Sequence, residues 1–311
     1  MIVWKIQGTQ KEGMNMKLSH TLSIGALLIA SQCNAGEVLI VSAGSQATDD
    51  SLVTALANQG HTATIGPNYW EFDINVDLAP YDAIYIQGNG NWTQSDMPVD
   101  AQSMILDFTQ AGGGIIFSEW VVWMVAARDV FQVLAAAMPV EETTTFRTSS
   151  DITFTLNTAE PFLTDGLPNS FTMPLTSFSG TETFLRPKLN ATVFYDSDWV
   201  IGAETGGAAI GWDICGGRVV NFSTTIGANQ IEDPNFQTLF GNMVTWVSRS
   251  TTDNSCPIDY APPCGVLNFF DISQFLSRFT AQDPRADLTN DGNFNFFDIS
   301  LLLQIYANGC D

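Results

Sequence analysis

Oxygen-bearing side chains recur at alternate positions of the segment DLTNDGNFNFFD, residues 287–298. Asp287, Thr289, Asp291, Asn293, Asn295 and Asp298 occupy positions 1, 3, 5, 7, 9 and 12 of a twelve-residue loop, with Gly292 at position 6. A tight loop turns such residues inward, so the spacing supplies the hard oxygen donors that Ca2+ takes. Asn293 would contribute its carbonyl, and Gly292 permits the sharp bend. Phe294 at position 8 is placed to pin the loop to a core. The loop closes on Asp298 where the general calcium-loop pattern has Glu, and the shorter arm requires a closer backbone. The same residues also read as an Asp/Asn-rich turn without metal, in which Asp298 caps the following helix, ISLLLQIYA.

The sequence NFFDIS occurs at 268–273 and again at 295–300. Ile272, Phe275, Leu276 and Phe279 match Ile299, Leu302, Leu303 and Tyr306, so each copy is a loop followed by an amphipathic helix, and the two helices can bury their faces together. Residues 256–310 resemble a dockerin, the duplicated loop–helix module similar to half an EF-hand pair. The likeness is to the bacterial variety that runs from a Cys-Pro start (Cys256-Pro257) to a terminal Gly-Cys (Gly309-Cys310). In that family each copy carries a calcium loop. The first copy departs from the pattern: Tyr260, Pro262 and Cys264 stand where oxygen donors belong or, in another register, Asp259 is at position 1 with one residue inserted. Asn268 and Asp271 remain. The expectation is one Ca2+ site, at 287–298, and one degenerate loop held by packing or by Cys264. The resemblance further implies a cohesin-like protein receptor on a scaffold or cell surface. Contacts would lie late in the loop and early in the helix, at Phe269, Phe270, Ser273, Phe296, Phe297 and Ser300. The phenylalanine pairs replace the small hydroxyl residues of better-known dockerins, and packing inside the module is their competing reading.

These elements sit at the end of a 311-residue chain with eleven Lys and Arg against 33 Asp and Glu, net −22. Lys5, Lys11 and Lys17 fall within the first 35 residues, so the remainder is proportionally more acidic. Such a surface repels phosphate backbones and anionic lipid, which excludes nucleic acid as the natural partner and favours divalent cations. A lysine-bearing start, the apolar run TLSIGALLIA and the small residue Ala35 read as a secretory signal at 1–35, with the true start at Met14 or Met16. The run is too short for a membrane span. Export permits disulfides. Three of the remaining cysteines, Cys256, Cys264 and Cys310, lie in the tail, where a small unit most needs a staple. Spacing does not fix their connectivity, and Cys256 with Cys310 is one pairing open to them.

Residues 36–250 alternate short apolar runs with helical stretches. EVLIVSA (37–43), TATI (62–65), DAIYIQG (82–88) and GGIIFSE (113–119) read as strands. Residues 49–60, 98–112 and 123–138 read as helices. Fully apolar strands separated by helices imply an α/β, flavodoxin-like, mostly parallel sheet covered on both faces, whose functional edge is the carboxyl end of the strands. A hairpin at Gly216-Gly217 and a closing helix at 236–249 follow. The order resembles the class I glutamine amidotransferase-like fold, near its trehalose-utilisation-type branch. The expected organisation is therefore signal 1–35, amidotransferase-like domain 36–250, linker 251–255 and a small all-α calcium-loop domain at 256–311.

Active members of that superfamily use a Cys nucleophile on a strand-to-helix elbow and a His base. Here the elbow after GGIIF presents Ser118, Glu119 and Trp120, Cys215 lies beside a hairpin turn, and His61 is the one histidine after residue 35. Glu119 is the remaining candidate acid/base, with a carboxylate bonded to nearby amides as its bland reading. Asp49, Asp50 and Asp96 are candidate second acids. Trp70, Trp92, Trp120 and Trp123 would form a sugar-stacking platform, unless they simply pack. The Gly/Asn-rich turns lack the Lys of a phosphate loop. Two functions follow from these residues: an exported calcium-binding interaction protein with a noncatalytic large domain, or a dockerin-borne hydrolase acting on polysaccharide through Glu119.

Overall fold

Five strands begin the sheet. They are β1 (Glu37–Ser42), β2 (Thr62–Asn68), β3 (Ala83–Ile86), β4 (Gly114–Phe117) and, much later, β11 (Gly217–Phe222). They run parallel in the order β2-β1-β3-β4-β11. Alternate residues of β1 feed opposite faces: Val38 and Ile40 enter one buried cluster, Leu39 and Val41 the other. The first face is covered by α1 (Gln46–Asn58), α4 (Ala228–Glu232) and α5 (Pro234–Val247), the second by α2 (Val99–Gln110) and α3 (Glu119–Arg128). Burial on both sides is why β1, β3 and β4 read as continuous apolar runs, whereas the border strand β2 is only partly covered.

Beyond β11 the sheet continues antiparallel through β10 (Glu204–Ile214), β9 (Thr192–Ile201), β6 (Asp151–Leu156) and β7 (Ser170–Pro174). Tight hairpins impose this direction, with Gly202 (φ +65°) between β9 and β10 and Gly216 (φ +116°) between β10 and β11. The parallel core expected from the sequence is thus extended by four antiparallel strands, giving nine in all. Both edge strands carry a proline, Pro67 in β2 and Pro174 in β7. A two-stranded ribbon, β5 (Phe146–Arg147) with β8 (Glu182–Thr183), lies outside the main sheet.

The tail contains α6 (Phe269–Thr280) and α7 (Phe296–Asn308). Its core holds Cys256, Ile258, Tyr260, Phe275, Ala286 and Leu302. The computed structural model describes residues 35–311 except 89, 90, 92, 176–180, 215, 250–255, 261–266, 281, 310 and 311. The expected signal segment up to Asn34, the linker 251–255, Trp92, Cys215, Cys264 and Cys310 lie outside the described residues. Cys256 is disulfide-bonded and is the only described cysteine, so the Cys256–Cys310 pairing also falls outside them. No helix among the described residues is long and apolar enough to cross a membrane.

Candidate functional site

The elbow after β4 is a helix start. The expected helix at 123–138 begins four residues earlier, with Ser118 in the N-cap position and Glu119 as the first residue of α3. It ends at Arg128, where Asp129 takes a left-handed φ of 54°; a separate short 3-10 turn follows at Leu134–Ala137. A polar residue followed by an acid looks like a loop in sequence, yet it is also how helices begin. The Ser118 Oγ accepts the Gly88 amide at 3.0 Å, tying the end of β3 to the elbow. This approach requires glycine: a Cβ at residue 88 would stand 2.6 Å from the Val121 nitrogen.

Glu119 is 1% exposed, and neither carboxylate oxygen has a hydrogen bond of good geometry. Burial pushes its pKa up to about 8, against the weaker opposing influence of the Thr225 hydroxyl and the first amides of α3. The positive end of a helix favours a nearby carboxylate by at most ~2 kcal/mol, so desolvation wins and the group is held protonated at neutral pH. Tyr85 lies in the same neighbourhood. Its hydroxyl is pushed well above the ordinary range by burial first, then by the charges of Glu119 and Asp49.

Each of the three aspartates proposed from the sequence is occupied by other partners. Asp49 accepts from Ser42 Oγ at 2.6 Å and Gln87 Nε2 at 2.7 Å, fastening α1 to β1 and β3. Asp50 accepts from Gln46 Nε2 on the exposed side of α1. Asp96 accepts from the Phe131 amide and Gln102 Nε2. A further buried acid is Glu182, 1% exposed on β8. Its Oε2 accepts from Arg147 Nε at 2.5 Å, and its Oε1 from Ser197 Oγ at 2.5 Å and Ser223 Oγ at 3.2 Å. Burial raises Glu182 to about 7, with Ser197, Arg147 and Ser223 opposing. Ser223 serves Glu182 and Thr225 serves Glu119. A two-residue strand between irregular segments has no periodicity to reveal it, so Glu182 escaped the sequence reading.

The rim is aromatic. Trp120 and Trp123 meet edge to face at 5.0 Å, and Phe146 of β5 joins them at 5.9 and 6.5 Å. Trp70 packs on Tyr69 instead, and Trp92 is outside the described residues. Two cavities, of about 690 and 430 Å3, lie at the other end of the sheet. The first is bordered by Asp82, Gly112 and Gly113 before β3 and β4, the second by Trp212, Asp213 and Arg218 at the β10–β11 turn. His61 is at that end as well. Its Nδ1 accepts the Gly36 amide at 3.0 Å and its Nε2 faces the Gly241 carbonyl at 2.9 Å, which makes it a neutral structural histidine. Burial lowers its pKa in keeping with that role.

In the tail, Asp287, Thr289 and Asp298 converge. The Thr289 hydroxyl lies 2.9 Å from Asp298 Oδ1 and 3.3 Å from Asp287 Oδ1. The loop bends at Gly292 (φ +77°), whose amide donates to Asp287 Oδ2 at 2.8 Å. Burial raises the Asp298 pKa, but the amides of Asn295 and Thr289 and the Thr289 hydroxyl outweigh it and hold the group below its usual range. Asp291 Oδ1 accepts the Asn293 amide, and Asn295 Oδ1 accepts the Phe297 amide as the cap of α7. This donor set suits a hard cation, with the first and last carboxylates brought to one hydroxyl. Among the described residues, no three acids, histidines or cysteines are gathered closely enough to hold a metal.

The helices pack as a pair through equivalent residues, Phe275 and Leu302, both buried. Leu276 and Leu303, expected on the buried faces, are 47% and 54% exposed. A stripe this short has room for one fully covered residue per turn. Phe269 and Phe270 are 70% and 65% exposed, and Phe296 and Phe297 are 71% and 67% exposed, so the phenylalanine pairs do not pack inside the tail. Ser273 is exposed and Ser300 half-buried.

Comparison with known proteins bears on the fold. No known family profile matches the chain, and no curated protein matches it. Among solved structures, a cytoplasmic protein from Salmonella typhimurium LT2 aligns with TM-score 0.53 at 17% identity, over 68% of this chain and 99% of that one. A putative ThuA-like protein from Bacteroides uniformis ATCC 8492 aligns with TM-score 0.51 at 11% identity, over 68% and 90%. A second cytoplasmic protein, from Salmonella typhimurium, aligns with TM-score 0.50 at 16% identity, over 69% and 99%. The α/β, flavodoxin-like fold read from the sequence therefore holds, and it is similar to that of a putative ThuA-like protein.

Proposed function

We propose that residues 256–311 form a dockerin-like module that attaches this chain, exported by its N-terminal signal, to a cohesin-like receptor. Ca2+ would stabilise the second loop through Asp287, Thr289, Asp291, Asn293, Asn295 and Asp298, and the large domain would be noncatalytic. The observation that carries the reading is a duplicated apolar surface. Phe269, Phe270 and Leu276 on one repeat and Phe296, Phe297 and Leu303 on the other are all 47–71% exposed. A soluble protein seldom leaves such residues clustered in water without a partner, and each phenylalanine covered by a receptor contributes about 1.5–3 kcal/mol. The sealed carboxyl edge supports the noncatalytic assignment.

The test is binding of the full chain to a panel of bacterial cohesins in millimolar calcium. The expected result is capture by at least one cohesin. Affinity should fall at least a hundredfold when Phe269, Phe270, Phe296 and Phe297 are all changed to Ser, and again on chelation. Capture that survives both changes, or no capture by any cohesin, overturns the reading.

A second reading, a polysaccharide-active hydrolase, is favoured by one observation: Glu119, a buried acid held protonated, opens the helix whose next residues, Trp120 and Trp123, form an aromatic group with Phe146. Here Glu119 is the protonated acid. Unchanged turnover of a glycan panel by Glu119→Gln, or no turnover by the parent protein, removes it.

A further inference from the structure

The two repeats hold their loops in the same way up to a point. In the second, Asp298 accepts the amides of Thr289 (3.1 Å) and Asn295 (2.9 Å). In the first, Asp271 accepts the amides of Tyr260 (2.8 Å) and Asn268 (2.7 Å). Asn268 caps the Phe270 amide as Asn295 caps that of Phe297. Tyr260 therefore stands where Thr289 stands. The separation is eleven residues in the first repeat and nine in the second, so the first loop is two residues longer. Neither register proposed from the sequence is the observed one. The position of Asp287, two before Thr289, falls on Ile258, which is fully buried in the tail core. An apolar residue there removes the first carboxylate on which a calcium loop is built.

What surrounds Tyr260 instead is one residue of the large domain and two arginines of the tail that reach the same helix. Its carbonyl accepts from Gln110 Nε2 of α2 at 2.5 Å, its hydroxyl donates to the Arg285 carbonyl at 2.7 Å, and the Arg278 guanidinium lies 5.1 Å from its ring centroid. Arg278, 6% exposed, pairs with Asp107 of α2 at 2.6 Å and with Asp283 at 2.9 Å, and it also donates to Gln110 Oε1. Arg285 meets Asp107 at 3.0 Å and Asp283 at 2.6 Å. Arg278 and Arg285 are the only basic residues in 256–311, and both converge on Asp107. The equivalent of Arg278 in the second repeat is Ile305, which packs on the tail's own core. Burial would raise Asp283, but the two arginines outweigh it and push its pKa down to about 2, as expected of a carboxylate fixed between two cations. Residues Cys33–Asp311 cluster as one compact unit, in keeping with a tail seated on α2.

We infer that the last turn of α2 is a docking surface for the first repeat, and that Asp107 and Gln110 give that repeat the support which a cation gives a complete calcium loop. The tail is then half metal-dependent and half clamped to its own large domain. Its comparison arm rests on the calcium reading of the second loop, while the clamp itself does not.

Hydrogen exchange of the full-length protein, resolved by segment, separates the two supports. In wild type with calcium, α6 and α7 are both protected. Asp107→Ala should speed exchange in residues 267–280 at least tenfold and leave 296–308 within twofold. Asp107 is 40% exposed on a helix surface, so the large domain keeps its fold. Gln110→Ala should give a smaller change in the same direction. Chelation of wild type should speed exchange in 296–308 and leave 267–280 within twofold. Unchanged α6 protection in Asp107→Ala overturns the clamp, as does equal loss from both helices on chelation. Loss in Asp107→Ala with no response to chelation upholds the clamp and defeats the calcium reading alone.

Discussion

The carboxyl edge of the sheet and the outer faces of the tail invert the usual distribution of side chains. At the sheet edge two acids, a tyrosine hydroxyl and several serine and threonine hydroxyls are shut away, with Glu119 and Glu182 each 1% exposed. On the tail, phenylalanines and leucines stand in water. Sealing a carboxyl group costs stability unless it is paired or protonated, and exposing a phenylalanine forfeits the gain from burying it. The contrast teaches that two segments of one chain treat water in opposite ways: the elbow after β4 closes its polar groups away, while the tail holds large apolar side chains outward.

Three perturbations would break or sharpen this contrast. The largest effect is expected at the sheet edge, from Arg147→Ala. It strips Glu182 of its cation while Ser197 and Ser223 remain, and should destabilise the protein by about 3 kcal/mol in denaturant unfolding. An effect below ~1 kcal/mol would mean that Glu182 is already protonated and that the edge is not electrostatically sealed.

Glu119→Gln comes next and has the opposite sign. Because burial raises Glu119 from 4.5 to about 8, the folded state holds a proton that the unfolded state releases above 4.5, so stability falls as pH rises from 4.5 to 8. The amide removes that slope and should stabilise the protein by about 3 kcal/mol at pH 7. Thermal unfolding at pH 5 and pH 8 checks it, since equal pH slopes for variant and parent would refute the buried acid.

The smallest effect belongs to the tail, where Leu303→Ala should change stability by less than ~0.5 kcal/mol. Its neighbour Leu302→Ala, which loses buried contacts in a small core, should cost about 2 kcal/mol. Calorimetry of the tail transition distinguishes them, and similar losses would place Leu303 in a core.

The parallel strands were legible in the sequence for a physical reason. Val38–Val41, Ala83–Ile86 and Gly114–Phe117 are covered on both faces, so nothing polar interrupts them. The antiparallel extension was only partly legible, because its border strand β7 is short and alternates exposed with buried residues. Glu119 was identified from its place after β4, but the other buried acid, Glu182, was not. Its partners Arg147, Ser197 and Ser223 stand 35, 15 and 41 positions away, and no local pattern carries such links. In the tail the repeat revealed both loops and both helices. The two extra residues in the first loop hid its register, and the exposure of the phenylalanine pairs depends on how the helices pack.

The prolines in β2 and β7 bear on what happens when many copies are held side by side. Each removes an amide from a border strand, so neither margin of the nine-stranded sheet offers an unbroken row of donors to a neighbouring molecule. Lateral strand-by-strand coalescence is blocked at both margins, and crowded copies remain separate folding units.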